Sequence, residues 1–267
     1  MIDGLEAITF DFGNTLVPFP ANSMATVVRR TAEWTREATG CRVEEFITVW
    51  GQERLRQFAE DVPEGREADM DIRAGRVLAR LRGRAAPAIG SRWDASEVAR
   101  FAAPEEVQGI LNAYASAFVA ATPVPPGVRE MLARLALHYR LGILSNWPLA
   151  LAVERFVESA GWAPHLKAVV VSHRVGVIKP WPGIFETAAR ELEVASGPAI
   201  LHVGDDVGAD VVGAHRLGWR TAWVRCKPED SPLPVASPVP DAIPDLAMDS
   251  VTDLEGALGL QTATGAS

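Results

Sequence analysis

Polar and apolar positions change rhythm twice along the chain. The run Ile8-Thr9-Phe10-Asp11-Phe12 is short, β-rich and stopped by Gly13-Asn14, the pattern of a buried strand ending in a tight turn. From about residue 21 to 121 the spacing becomes helical. Met24, Val27, Val28, Thr31 and Trp34 fall three or four residues apart, as do Phe46, Ile47 and Trp50, and later Val107, Ile110, Leu111, Tyr114 and Phe118. No strand is predicted there, and residues 87–91, rich in Pro, Gly and Ser, read as a loop. The pattern breaks at Thr122-Pro123-Val124-Pro125-Pro126-Gly127 and then alternates. Helices are predicted at 128–135, 149–160, 184–192 and 211–217, and strands at 141–144, 168–171, 199–203 and 221–224. Such alternation implies parallel βαβ units. The proline-rich stretch 226–242 reads as irregular, a weaker strand and helix follow at 243–258, and the small polar residues 261–267 read as a frayed end.

The expected fold class is therefore α/β, a doubly wound parallel sheet with an inserted all-helical block. Residues 1–17 and 122–267 would form the core and residues 18–121 the insertion, placed where it covers the turn after the first strand.

Composition narrows the function classes. The chain has 267 residues, 48% of them hydrophobic and 22% charged, which argues for a soluble globular protein and against disorder. A net charge of −8 argues against a general nucleic-acid binder, and no apolar run has the length of a membrane span. The first ten residues lack the basic start and long apolar stretch of a secretion signal. The two cysteines, Cys41 and Cys226, lie far apart and form neither a disulfide framework nor a zinc cluster. A cytoplasmic location is the expectation. Only Lys167, Lys179 and Lys227 are lysines; the other basic residues are arginines.

In an open α/β sheet, reactive groups gather beyond the carboxyl ends of the strands. Here these ends carry Asp11, then Ser145-Asn146, then Lys179, then Asp205-Asp206 with Asp210. Clustered carboxylates repel one another and need a cation, and hard oxygen ligands suit Mg²⁺. A lysine offsets the remaining charge, a hydroxyl with backbone N–H groups can hold phosphate oxygens, and a carboxylate left free can attack. The set is equipped for phosphoryl transfer.

These residues resemble a known family. The motifs Phe10-Asp11-Phe12-Gly13-Asn14-Thr15-Leu16, Leu144-Ser145-Asn146, Lys179-Pro180 and Val203-Gly204-Asp205-Asp206 with Asp210 occur in the order found in the haloacid dehalogenase-like (HAD) hydrolases. The helical block between the first two resembles the family's C1-type cap. The resemblance implies a Rossmann-like core and Mg²⁺-dependent hydrolysis of a small phosphate monoester through an aspartyl-phosphate. It implies Asp11 as nucleophile and Mg²⁺ ligand, with Asp205 and the Gly13 carbonyl as further ligands. Ser145, with Asn146, Gly13 and Asn14, would bind the phosphoryl group. Lys179 would steady nucleophile and phosphate, and Asp206 and Asp210 would be supporting acids, bound through water or paired with Lys179. The implied partner is a small phosphorylated metabolite, with no nucleic acid or membrane, acting on a monomer or homodimer.

One position departs from the family pattern: the general acid two residues after the nucleophile is replaced by Gly13. A general acid contributes on the order of 10²–10⁴ in rate. Dehalogenase-like or phosphonatase-like hydrolysis, or a weakly active or non-catalytic phospho-ligand binder, stay open as alternatives. Gly204-Asp205-Asp206 speaks against the haloacid dehalogenase branch. Other conspicuous residues have plainer expectations. Trp147 and Trp181 are expected to pack in the core or rim, the alternative being a substrate contact; His173 and Arg174 are expected to lie in a surface loop, and Trp34 and Trp50 to fill the core of the helical block. Arg73, Arg76, Arg80, Arg82 and Arg84 read as a solvated helix face, the alternative being an anion-attracting patch.

Overall fold

The computed structural model describes residues 4–86, 95–225, 227–236 and 242–260. The expected loop at 87–91, Cys226, part of the irregular stretch (237–241) and the expected frayed end lie outside these residues. Six parallel strands form one sheet in the order β3-β2-β1-β4-β5-β6. They are β1 (Ala7–Phe10), β2 (Arg140–Ser145), β3 (Ala168–Val171), β4 (Ile200–Gly204), β5 (Arg220–Val224) and β6 (Leu246–Met248). Strands β1 and β4 are buried along their whole length, so their sequences are mostly apolar rather than alternating, with Thr9 and His202 the polar members.

The chain moves outward from β1 through β2 to β3, then returns to the other side of β1 for β4, β5 and β6. This reversal puts the topological switch point between β1 and β4, where open α/β sheets bind ligands. The register does the rest. Phe10 pairs with Ile143 of β2 and with Val203 of β4, so the residues just beyond each strand reach the same edge. β1 is shorter than its sequence pattern predicts, because after Asp11 the chain turns: Val17 N–H donates to Phe12 O at 2.9 Å and Asn14 takes a left-handed φ of 59°.

Between β1 and β2 lie α1 (Ala21–Thr39), α2 (Val43–Asp61), α3 (Met70–Leu81), α4 (Ala95–Ala99) and α5 (Pro104–Ala121), with no strand among the described residues. Then come α6 (Val128–Leu135), α7 (Ala150–Ser159), α8 (Ser172–Val175), α9 (Pro182–Leu192), α10 (Val212–His215) and α11 (Leu254–Ala257). The helical block and the sheet share one continuous apolar cluster. At its centre Phe12 and Phe19, from the turn after β1, pack on Phe118 of α5 and on Trp147. These ring pairs fix the block over the carboxyl end of the sheet.

The helix expected at 211–217 is found, shorter, as α10 (Val212–His215), and a π-helical turn not anticipated from the sequence, Val207–Val211, leads into it, with the Asp206 side chain capping the N–H groups of Gly208 and Ala209. Three other sequence expectations change in three dimensions. Trp34 is not core: it is 38% exposed and its ring edge meets α5, where a Cβ at Gly109 would come within 2.3 Å of it. His173 is no free surface residue, since it sits on α8 and meets Asp71 of α3 at 3.3 Å. The arginine run is not a uniformly solvated face either. Arg73 and Arg76 are both 2% exposed, because α3 turns them inward against α2.

Candidate active site

Lys179 is the centre of the site. It is 3% exposed, and its ammonium donates to Asp11 Oδ1 at 2.6 Å and to Leu144 O at 2.8 Å, and meets Asp210 Oδ1 at 2.7 Å. All three N–H bonds of the ammonium thus have an acceptor, so a ligand oxygen reaching Lys179 must share or replace one of them. Asn146 holds the backbone of Lys179 at both polar groups: its Oδ1 accepts from Lys179 N at 2.7 Å and its Nδ2 donates to Lys179 O at 3.0 Å. Lys179 is therefore placed through its main chain and anchored through its side chain.

Behind Asp210 stands a polar chain that sequence reasoning missed. Thr9 Oγ1 lies 2.8 Å from His202 Nδ1, and His202 Nε2 lies 3.1 Å from Asp210 Oδ1. Burial lowers the pKa of His202, with Asp210 pulling the other way, so the ring is neutral. The network then assigns the tautomer: Nε2–H donates to Asp210, and Nδ1 accepts from Thr9. A lone histidine in the apolar run of β4 was the available signal.

Asp205 faces Asp11 from the end of β4. Its Oδ1 accepts from Thr15 Oγ1 at 3.3 Å, its Oδ2 lies 3.4 Å from Lys227 Nζ, and its backbone carbonyl accepts from Trp223 Nε1 at 3.0 Å. Asp206 turns away. Beyond capping the π-helical turn, its Oδ2 accepts from Ala236 N at 2.6 Å, so Asp210 and not Asp206 meets Lys179. Ser145 lines the site, and its Oγ is buried with no partner among the described residues. Asn14 uses its side chain locally, on Phe19 N and Ser231 Oγ.

The stretch 227–236 crosses the site as a strap. Ala21 N donates to Asp230 Oδ2 at 3.2 Å, Arg54 Nη2 donates to Pro232 O at 3.2 Å, and Leu233 lies against Gly13. Under the strap and the helical block is a cavity of about 550 Å³, lined by Asp11, Ser145 and Lys179 from the sheet and by Trp50, Arg54 and Tyr114 from the helices. The strap's proline-rich sequence gave no sign of this position. Trp147 lines the cavity too, while packing against Phe12, Phe19 and Phe118, and Trp181 covers Gly65 instead.

The donor set fits a hard dication. Carboxylate oxygens of Asp11, Asp205 and Asp210 lie within 4.8 Å of one another. Burial pushes the Asp11 carboxyl up to about 8, and Asp210 and Asp205 add to that shift while Lys179 opposes it. Burial, then Asp210, pushes Asp205 up to about 6. Burial alone would also raise Asp210, but Lys179 and His202 outweigh it and hold it well below the usual carboxylate range. Lys179 in turn is raised by Asp11 and Asp210 against the effect of burial. Two ammoniums, Lys179 within the cluster and Lys227 at 3.4 Å from Asp205, do not balance three carboxylates, and oxygen donors in this number suit Mg²⁺.

Residues 5–218 match the family model of the haloacid dehalogenase-like hydrolases. The chain belongs to this family. Among its relatives, a glyceraldehyde 3-phosphate phosphatase of Methanopyrus kandleri is 26% identical over 83% of this chain and 84% of its own length. A glyceraldehyde 3-phosphate phosphatase of Pyrococcus abyssi is 35% identical over 38% of this chain and 42% of its own. A phosphoserine phosphatase of Thermus thermophilus is 35% identical over 43% of this chain and 42% of its own. With the last two, therefore, the chain aligns over less than half of the relative. The fold of this HAD-like chain matches the 2-haloacid dehalogenase of Pseudomonas syringae pv. Tomato DC3000, with a TM-score of 0.63 at 21% identity over 96% of this chain and 98% of that one. It also matches a HAD phosphatase of Thermococcus onnurineus, with a TM-score of 0.55 at 16% identity over 96% and 99%. No helix among the described residues is long and apolar enough to cross a membrane.

Proposed function

We propose that this HAD-like hydrolase cleaves a small phosphate monoester through an aspartyl-phosphate on Asp11. The observation that carries the reading is the meeting of Asp11, Lys179 and the unpartnered Ser145 hydroxyl in one cavity at the switch point. The phosphatase relatives support it. Asp11, Asp205 and the Gly13 carbonyl are the groups to hold Mg²⁺. When bound, the ion supplies the positive charge that three carboxylates and a dianionic ester require.

Lys179 fixes the nucleophile by Oδ1 and, with Asn146, keeps the carboxylate aimed into the cavity. Ser145 donates its free O–H to a phosphoryl oxygen. The Asp11 carboxylate forms a bond to phosphorus as the ester P–O bond breaks, and the leaving oxygen takes a proton. Water then attacks the phosphorus of the aspartyl-phosphate, releasing inorganic phosphate and restoring Asp11. Asp210, oriented by His202, holds Lys179 in place throughout. With Gly13 carrying no side chain, the proton reaches the leaving group from solvent.

In this reading residues 18–121 are a cap on a core of residues 1–17 and 122–267, and cap side chains choose the substrate. The cysteine-poor composition supports work in the cytoplasm. The test is phosphate release from a panel of sugar phosphates, nucleotides and phospho-acids, with and without Mg²⁺, by the wild-type chain and Asp11→Asn. Mg²⁺-dependent release lost in Asp11→Asn is expected. No release from any ester, or equal release by the variant, would overturn the proposal.

A further inference from the structure

On the cap side of the cavity, Arg73 points inward from α3. Its Nε donates to Gln57 Oε1 at 2.8 Å, and its guanidinium lies over the Trp50 ring, 5.6 Å from the centroid. Its Nη2 is buried with no hydrogen-bond partner, and no carboxylate lies within 4.0 Å of the group among the described residues. The contrast with its neighbours is sharp. Arg76, one turn on, lies 3.1 Å from Glu60, and Arg80 lies 2.8 Å from Glu53. Arg54, a second cation on the same wall, donates to a neutral carbonyl and lies over Phe58. Apart from the aspartates of the sheet, Glu67 is the one carboxylate lining this cavity, and its two oxygens accept from Ala68 N and Ser172 Oγ. Burial lowers the pKa of Arg73 to about 10, with Arg54 adding to the shift and Tyr114, Glu67 and Asp69 opposing it without cancelling it. A buried guanidinium without an ion pair is costly, and one that lines a cavity with an N–H left unpaired is preorganised to receive an anion.

We propose that Arg73, with Arg54 beside it, binds a second anionic group of the substrate, so that the preferred ester carries a carboxylate or second phosphate on its alcohol portion. This rests on the phosphatase reading for its chemistry. Trp50 and Tyr114 line the same cavity, and their rings suit a carbon skeleton that links the two anions.

The test uses two matched pairs of probes. The first pair is a phosphorylated three-carbon hydroxy acid and its neutral amide. The expected preference for the acid is about 10- to 100-fold in kcat/KM, the span of a charge-assisted hydrogen bond, falling to within about threefold in Arg73→Met. Arg73→Lys, which keeps charge but loses the fork, is expected to fall between. The second pair needs no turnover: 3-phosphonopropanoate against propylphosphonate, read as ligand-induced melting shifts. The larger shift should come from the carboxylated probe, and the difference should vanish in Arg73→Met. Without ligand, Arg73→Met is expected to melt no lower than wild type, because it removes an unpaired buried charge; a purely structural arginine would lower melting and leave both ratios intact. Unchanged ratios in Arg73→Met would overturn the proposal, as would wild-type indifference to the second anion in the melting pair. Probe discrimination without hydrolysis of any ester would instead sink the phosphatase reading and keep the anion site.

Discussion

Leu233 stands over Gly13: a Cβ added to Gly13 would lie 2.6 Å from Leu233 Cδ1. The strap residue thus fills the space that a side chain at this position would enter. Lacking an acid there, the enzyme is expected to depend steeply on its leaving group. Aryl phosphates should exceed alkyl phosphates by about 10² or more in kcat/KM. The plot of log kcat/KM against leaving-group pKa gives the slope. A flat slope would show that another group supplies the proton.

The same pair predicts how the missing acid can be restored. Gly13→Asp alone should give little, since the new side chain meets Leu233. Combined with Leu233→Ala, it should flatten the leaving-group slope and raise alkyl-ester turnover about tenfold or more. An unchanged slope in the double variant counts against position 13 as the limiting feature.

Lys179 balances two buried carboxylates at once. Lys179→Met should therefore reduce phosphate release by at least about 10². It should also cost about 3–5 kcal/mol of folding stability at pH 7, because uncompensated buried charge remains. Urea unfolding and a turnover assay on the same preparations measure both. Wild-type stability in the variant would contradict the pairing.

His202 gives a pH signature in stability. Burial holds its folded pKa below the ordinary value, while the unfolded chain takes up the proton near about 6.5. Below that pH the unfolded state binds more protons, so stability falls as pH drops, until the folded pKa is passed. The contribution is at most about 1.4 kcal/mol per pH unit. His202→Gln keeps an N–H for Asp210 and removes the titration. Urea unfolding from pH 7.5 to 5 should show a shallower loss in the variant, and equal slopes would disprove the assignment of a neutral ring.

The carboxylate set predicts metal-linked stabilisation independent of turnover. Mg²⁺ at ten times its dissociation constant should add about 1.4 kcal/mol. Thermal melting should rise in wild type and not in Asp205→Asn. A wild-type melting curve indifferent to Mg²⁺ would remove the ion from the mechanism.

Much of the architecture is legible in the sequence because it is locally encoded. Periodicity along ten or so residues separates the helical stretch 21–121 from the alternating stretch that follows. The polar groups that the core brings to the cavity, from Asp11 to Asp210, sit at strand ends or in the segments that follow them, and the parallel order carries those ends to one edge. The failures are equally physical. Asp206 and Asp210 look alike in sequence, but one caps a turn and the other meets Lys179, because the π-helical turn rotates them apart. Arg73 and Arg80 look like one solvated face until α2 covers it.

The sequence by itself thus determined the order of the main elements, the family and which polar side chains follow the strands. These depend on neighbours in the chain. Only the tertiary structure decided which acid meets the lysine, that Leu233 covers Gly13, that His202 orients Asp210, and that Arg73 has no ion pair among the described residues. Each of these depends on burial and on charge partners brought from distant segments, as with Lys179 and Asp11, 168 positions apart. A side chain's local pattern says what it can do, and its pairing after folding determines whether it is free to do it.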